Sequence, residues 1–212
     1  MWTLSEVRQK LTQRLAEEAN VFWTAAERDS AINEAQRFIA AITNGVSTVV
    51  SGVIDKNFPY LTAPGKLLNM YEIAGWVAGP KLEALRAIPV ASANLIDPGW
   101  VNRRGRPRWL LVNPAEKRLY FSPSPHDPIE VSARVSVLPD DMEDDSDPLF
   151  NGEQVMQKYQ GALLNVAAAL LLLKERYDGD AERFYAFAVN ELTSLGVEPA
   201  RIPERPGQQG GQ

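Results

Sequence analysis

Ala162-Leu163-Leu164-Asn165-Val166-Ala167-Ala168-Ala169-Leu170-Leu171-Leu172-Leu173 is the stretch on which the fold turns, and Asn165 is its one polar side chain. A run this apolar belongs in an interior, and at roughly a third short of the ~20 residues that cross a bilayer it reads as a buried helix. Ala162, Ala167, Ala168 and Ala169 are small enough to let other helices come close. The helix is expected from Glu153 to about Tyr177. Asp178-Gly179-Asp180 then reads as a turn before a further helix, Ala181 to Leu195.

The N-terminal segment supplies partners. Thr3 with Glu6, and Thr24 with Glu27, are capping-box pairs, each satisfying two of the amide donors left open at a helix start. After the first, Leu4, Val7, Leu11 and Leu15 recur at steps of three and four. After the second, Ile32, Ala35, Ile39 and Ile42 share one side, and Asn44-Gly45 stops the helix, with Gly45 expected in the left-handed conformation. A short linker between two such helices favours an antiparallel pair. Each apolar stripe is too narrow to fold alone, and the Ala/Leu helix offers the missing surface.

Between these helical ends the period changes. Val46 to Ile54 is dense in β-branched residues and suits a strand. Lys66 to Ala87 is ambiguous, a helix broken at Gly79-Pro80 being one reading of it. Trp109 to Val112 and Arg118 to Phe121, about five residues apart, form a β-hairpin. Ile129 to Val137 alternates apolar and polar side chains, as a half-buried antiparallel strand does. The expected class is therefore α+β: a mostly helical bundle of N- and C-terminal helices packed together, with an inserted antiparallel β region and an extended C-terminal arm. The expected boundaries are 1–45 plus 149–196 for the helical domain, 46–148 for the β-rich insertion and 197–212 for the arm.

Bulk properties narrow the function. The chain has 212 residues, a net charge of −5 and no cysteine. Thiolate metal sites, disulfides and a cysteine nucleophile are excluded, and the acidic balance argues against a protein that coats nucleic acid with its whole surface. The first residues show no basic segment leading into an apolar run, so no secretory signal is expected.

Four features invite a functional reading. Asp140, Asp141, Glu143, Asp144, Asp145 and Asp147 present hard oxygen ligands but lack the spacing of an EF-hand loop, and read as a solvated acidic loop. Arg103, Arg104, Arg106 and Arg108 lie between Trp100 and Trp109. That interleaving fits a solvated hairpin loop, a DNA-channel contact in which bases stack on rings, or an inter-subunit contact with the acidic loop of a neighbour. His126, the only histidine, sits in Ser124-Pro125-His126-Asp127, and residues so close in sequence do not converge as a triad. The tail carries Arg201, Ile202, Pro203 and Arg205, which read as a frayed end or as an arm that orders on a partner. No catalytic residue, cofactor or metal site is expected. Neither a GxxxxGK[ST] loop nor a GxGxxG turn occurs, and no glutamate pair is placed for glycoside hydrolysis.

The order of these pieces resembles the phage head–tail connector (adaptor, or head-completion) proteins. The resemblance rests on Phe22-Trp23 followed by Ile32-Asn33-Glu34-Ala35-Gln36-Arg37, on the Ser122-Pro123 end of the hairpin, on the strand ending at Pro139, and on the acidic Asp140 to Pro148 segment before the Ala/Leu helix. It covers most of residues 3–195. The resemblance implies a structural virion protein that forms a ring, commonly of twelve copies, beneath the portal. Such a ring extends the DNA channel and presents a platform for tail nozzle or tube proteins. Its expected partners are the portal, the tail, further copies of itself and, passively, packaged DNA, with no membrane. It would sit at the virion neck, and in the host cytoplasm during assembly. The alternatives are another tail-completion or minor virion protein, or a virion-associated peptidoglycan hydrolase.

Overall fold

The computed structural model describes residues 1–15, 22–62, 67, 77–78, 85–113 and 116–204. In chain order the elements are α1 (Leu4–Arg14), α2 (Ala25–Thr43), β1 (Ser47–Ile54), β2 (Tyr60–Thr62), β3 (Val77–Ala78), β4 (Arg86–Pro89), α3 (Val90–Ile96), β5 (Trp109–Asn113), β6 (Arg118–Ser122), β7 (Ile129–Ser136), α4 (Gln160–Lys174) and α5 (Asp178–Ser194). The fold is mixed α and β. It divides into two compact units, Met1–Val46 with Pro139–Gln212, and Ser47–Leu138.

In the first unit both capping boxes form. The Glu6 carboxylate accepts the Thr3 amide at 3.0 Å, and the Glu27 carboxylate accepts the Thr24 amide at 2.9 Å. Leu4, Val7 and Leu11 of α1 and Ile32, Ala35, Ile39 and Ile42 of α2 are buried. Helix α4 packs against α1, α2 and α5 and buries Ala162 to Ala169 together with Leu171 and Leu172. It starts later than the sequence suggests, because Gln154–Tyr159 winds as a 3-10 helix. Gly161 of α4 lies beside Glu191 of α5, whose flexible carboxylate would have to swing aside for a Cβ there. The expected Asp178-Gly179-Asp180 turn is instead the first turn of α5, where two acidic side chains suit the positive end of the helix dipole.

The end of α2 corrects a detail. Asn44, not Gly45, takes the left-handed conformation, with φ 51°. Gly45 is needed for another reason, since a Cβ would fall 1.9 Å from the buried Met156 sulfur.

The second unit holds two sheets, in the orders β1-β7-β3 and β2-β6-β5-β4. The long ladder runs from Ser47 opposite Ser136 to Ile54 opposite Ile129. The hairpin of β5 and β6 is antiparallel, with Leu111 opposite Tyr120. One pair departs from the expected antiparallel region: β4 runs parallel to β5. A parallel pair needs a crossover, and α3, which the sequence reading missed, lies in it. Ala93 of α3 joins Trp100 and Leu111 in a small core. Within Lys66–Ala87, Val77–Ala78 and the start of β4 are strand rather than helix, and most of the remainder lies outside the described residues.

Two expected boundaries move. The acidic segment after Pro139 belongs to the helical unit, because α2 holds it. The tail does not leave at residue 197, because Val197 is buried and its amide bonds the Leu192 carbonyl at 3.0 Å.

Candidate functional site

The first charged surface is built from α2 upward. Asn33 and Gln36, one helical turn apart, are both buried. The Asn33 amide brackets Met142, donating to its carbonyl at 3.2 Å and accepting its N–H at 2.9 Å. Gln36 donates to the Asn33 side chain at 3.0 Å and to the Asp140 carbonyl at 2.8 Å, and accepts the Phe150 amide at 3.2 Å. Met142 is buried as an apolar peg. Around this latch, Arg37 pairs with Asp141 at 2.5 Å. Arg8 holds Asp29 at 2.5 Å and also reaches Asp145. Those two carboxylates, Asp29 first, raise the Arg8 guanidinium pKa further. Asp147 turns inward to accept the amides of Asp144 and Glu143, which holds its carboxyl below the usual carboxylate range.

The acidic loop keeps most of its carboxylates in solvent, but its backbone is not free. It is a fixed segment, anchored through its backbone, with Asp140, Asp141, Glu143, Asp144 and Asp145 on the outside. Two arginines, Arg8 and Arg37, face it, and they leave it strongly negative. Among the described residues no group of three or more His, Cys, Asp or Glu side chains is placed to hold a metal ion.

The second surface is a tip between α3 and β5. The backbone of residues 103–108 is clamped to β6 and the residues after it: Gly105 donates to the Ser124 carbonyl at 2.9 Å, Ser124 to Arg103 at 3.0 Å, and Arg108 to Ser122 at 2.9 Å. Arg103, Arg104, Arg106 and Arg108 are exposed on this frame. Arg103 pairs with Asp97 at 2.5 Å, which holds the Asp97 carboxyl low. The aromatic part of the expectation fails. Trp100 is buried, donates from Nε1 to Asn94 at 2.7 Å and meets Tyr120 edge-on at 5.7 Å. Trp109 packs against the same small core. Both rings serve packing, and the Trp100 N–H finds a polar partner as a buried Trp usually does. What the sequence reading missed beside the arginines is apolar: Leu95, Ile96 and Val101 are 86%, 62% and 57% exposed. The available signal was the Leu95-Ile96 pair immediately before the Asp97-Pro98-Gly99 turn.

Charge separates along the unit boundary. Residues 47–138 hold 11 Lys and Arg against 7 Asp and Glu, a balance of +4. The remaining residues hold 11 against 20, a balance of −9, and the two together give the −5 of the chain.

Of the expected arm, Arg201 is exposed, and Ile202 and Pro203 are half-buried. Tyr185 of α5 donates its hydroxyl to the Pro203 carbonyl at 2.5 Å, and burial raises its pKa to about 12. The arm is thus strapped to α5 as far as Pro203; Arg205 lies outside the described residues. His126 is exposed on its loop. No helix among the described residues is long and apolar enough to cross a membrane.

Compared with known proteins, the chain matches no family model, and no curated protein matches it in sequence.

Proposed function

We propose that this chain is a structural virion protein, a head-to-tail adaptor that assembles as a ring beneath the portal, extends the DNA channel and seats tail components. The observation that carries the reading is the latch of Asn33, Gln36 and Arg37 on the acidic segment. These residues lie in the run that resembles the connector proteins, and every one of them is spent on joining α2 to the segment before α4. In this reading α1, α2, α4 and α5 act as one bundle, closed by the latch, with the β-rich unit inserted in the chain between α2 and the acidic segment. The protein works by shape and charge, without a catalytic step.

The decisive experiment mixes the purified chain with portal rings and images the product. A ring of this protein seated on the portal is the expected result. Electron microscopy that finds the protein elsewhere in the particle would favour a tail-completion role. Peptidoglycan cleavage lost on changing one glutamate would replace the reading with a hydrolase. Truncation after Glu204 tests the tail separately: it leaves Val197 and Pro203 in place and is expected to weaken portal binding. Unchanged binding would confine the contact to the folded units.

A further inference from the structure

We propose that the arginine tip of one copy docks on the latched acidic segment of a second copy, a contact that rests on the ring reading and gives it a specific geometry. Each side carries charge and apolar surface together. On the tip, Arg103, Arg104, Arg106 and Arg108 stand beside the exposed Leu95, Ile96 and Val101. On the acidic side, Asp140 is tied to Asn151 at 3.1 Å, and the next residue, Gly152, lies against Met1, whose sulfur would be 3.6 Å from a Cβ there. Met1 is 52% exposed, and Val155, three residues beyond Gly152, is 66% exposed. Glu143, Asp144 and Asp145 complete the negative face.

Charge complementarity selects the occupant. A DNA backbone would satisfy the arginines but leave three large apolar side chains in water, a poor use of surface that the hydrophobic effect favours covering. A second copy of this chain offers carboxylates and apolar side chains in one place. The two patches differ, so the contact is head-to-tail: each copy gives a tip and receives one, and such a series closes into a ring when the rotation between copies permits. Both backbones are already held, by the β6 clamp on one side and by Asn33 and Gln36 on the other. Little ordering is then required on binding.

The experiment measures the mass of the full chain in solution, by sedimentation and native mass spectrometry. Two charge-reversed variants are compared, Arg104→Glu with Arg108→Glu on the tip, and Glu143→Arg with Asp144→Arg on the acidic face. The Arg104 guanidinium reaches the Val101 and Arg103 carbonyls only at 3.5 and 3.4 Å, contacts too long to hold the loop, which the backbone bonds to Ser122 and Ser124 fix. The wild-type chain is expected to associate, more weakly in 1 M than in 0.1 M salt as the screening length falls from ~10 to ~3 Å. Each variant alone is expected to associate at least about tenfold more weakly. An equimolar mixture of the two is expected to recover association, because each reversed face meets its reversed complement. Variants that assemble like wild type, or a mixture that fails to recover, overturn this contact while leaving the ring reading in place. A wild-type chain that stays monomeric at ~100 μM removes the self-contact. Loss of duplex-DNA binding in the tip variant with assembly unchanged assigns the tip to DNA and overturns the proposal.

Discussion

Gln36 is the residue on which most depends. It is fully buried and bonds two backbone groups more than a hundred residues away in sequence, the Asp140 carbonyl and the Phe150 amide. Gln36→Ala strands both, and an unpaired buried polar group costs about 1–3 kcal/mol. The expected loss is ~2–4 kcal/mol, read in urea as a lower midpoint with the slope kept. A change below ~0.5 kcal/mol would show that the latch is incidental. Gly45→Ala should also destabilise, and the penalty should shrink when Met156→Ala removes the sulfur that the new methyl would strike. Neither effect was legible in the sequence. Periodicity and capping patterns report neighbours a few positions apart, so they marked Thr3, Glu6, Thr24 and Glu27 correctly. They had no means of pairing Asn33 with Met142. The same local view marked Trp100 as a surface ring because arginines follow it, when only the distant Tyr120 and Leu111 reveal that it is buried.

At the level of elements, two ties respond to pH, one between helix ends and one from the middle of α5 to the tail. Glu27, at the start of α2, meets Lys174 at the end of α4 at 2.5 Å. The Lys174 ammonium, with help from the Thr24 amide, draws the Glu27 pKa down to about 2 from 4.5. The folded value lies below the unfolded one, so this stabilisation is present above pH ~4.5 and is lost as pH falls toward 2. Glu27→Gln should flatten the acid limb of the unfolding curve over that window, and an unaltered limb would discount the tie. Tyr185 has the opposite sign. Its pKa, raised from 10 to about 12, makes the strap's stability full below pH 10 and loses it as pH climbs toward 12. Tyr185→Phe leaves the Pro203 carbonyl without its donor, and limited proteolysis should then cut within residues 197–204 several-fold sooner. Strands and helices with strong periodic patterns, such as β7, β5 and α2, were readable from sequence. Helix α3 was not, because seven residues give too few turns for a period to declare itself.

For the whole molecule, the units part at Val46 and Pro139, and the β-rich unit begins and ends on paired strands, with Ser47 opposite Ser136. Replacing residues 47–138 by a short Gly/Ser linker should therefore leave a helical protein with a cooperative melt; a non-cooperative helical product would show that the first unit cannot stand alone. That the chain would mix helices near its two ends with strands in its middle was legible from its change of period. The placement of the acidic segment with the helices was not, since it depends on who holds its backbone. The Ser47–Ser136 pairing also bears on how quickly the chain reaches this state. Residues 1–46 and 139–204 must find one another across about 90 intervening positions, and closing so long a flexible loop costs ~4 kcal/mol in chain entropy beyond the constant term. Once β1 and β7 have zipped, the two halves start one strand spacing apart, ~5 Å, and that search is over. A ladder that zips first would bring the ends of the chain together, and weakening it is then expected to slow the folding of helices that it does not contain.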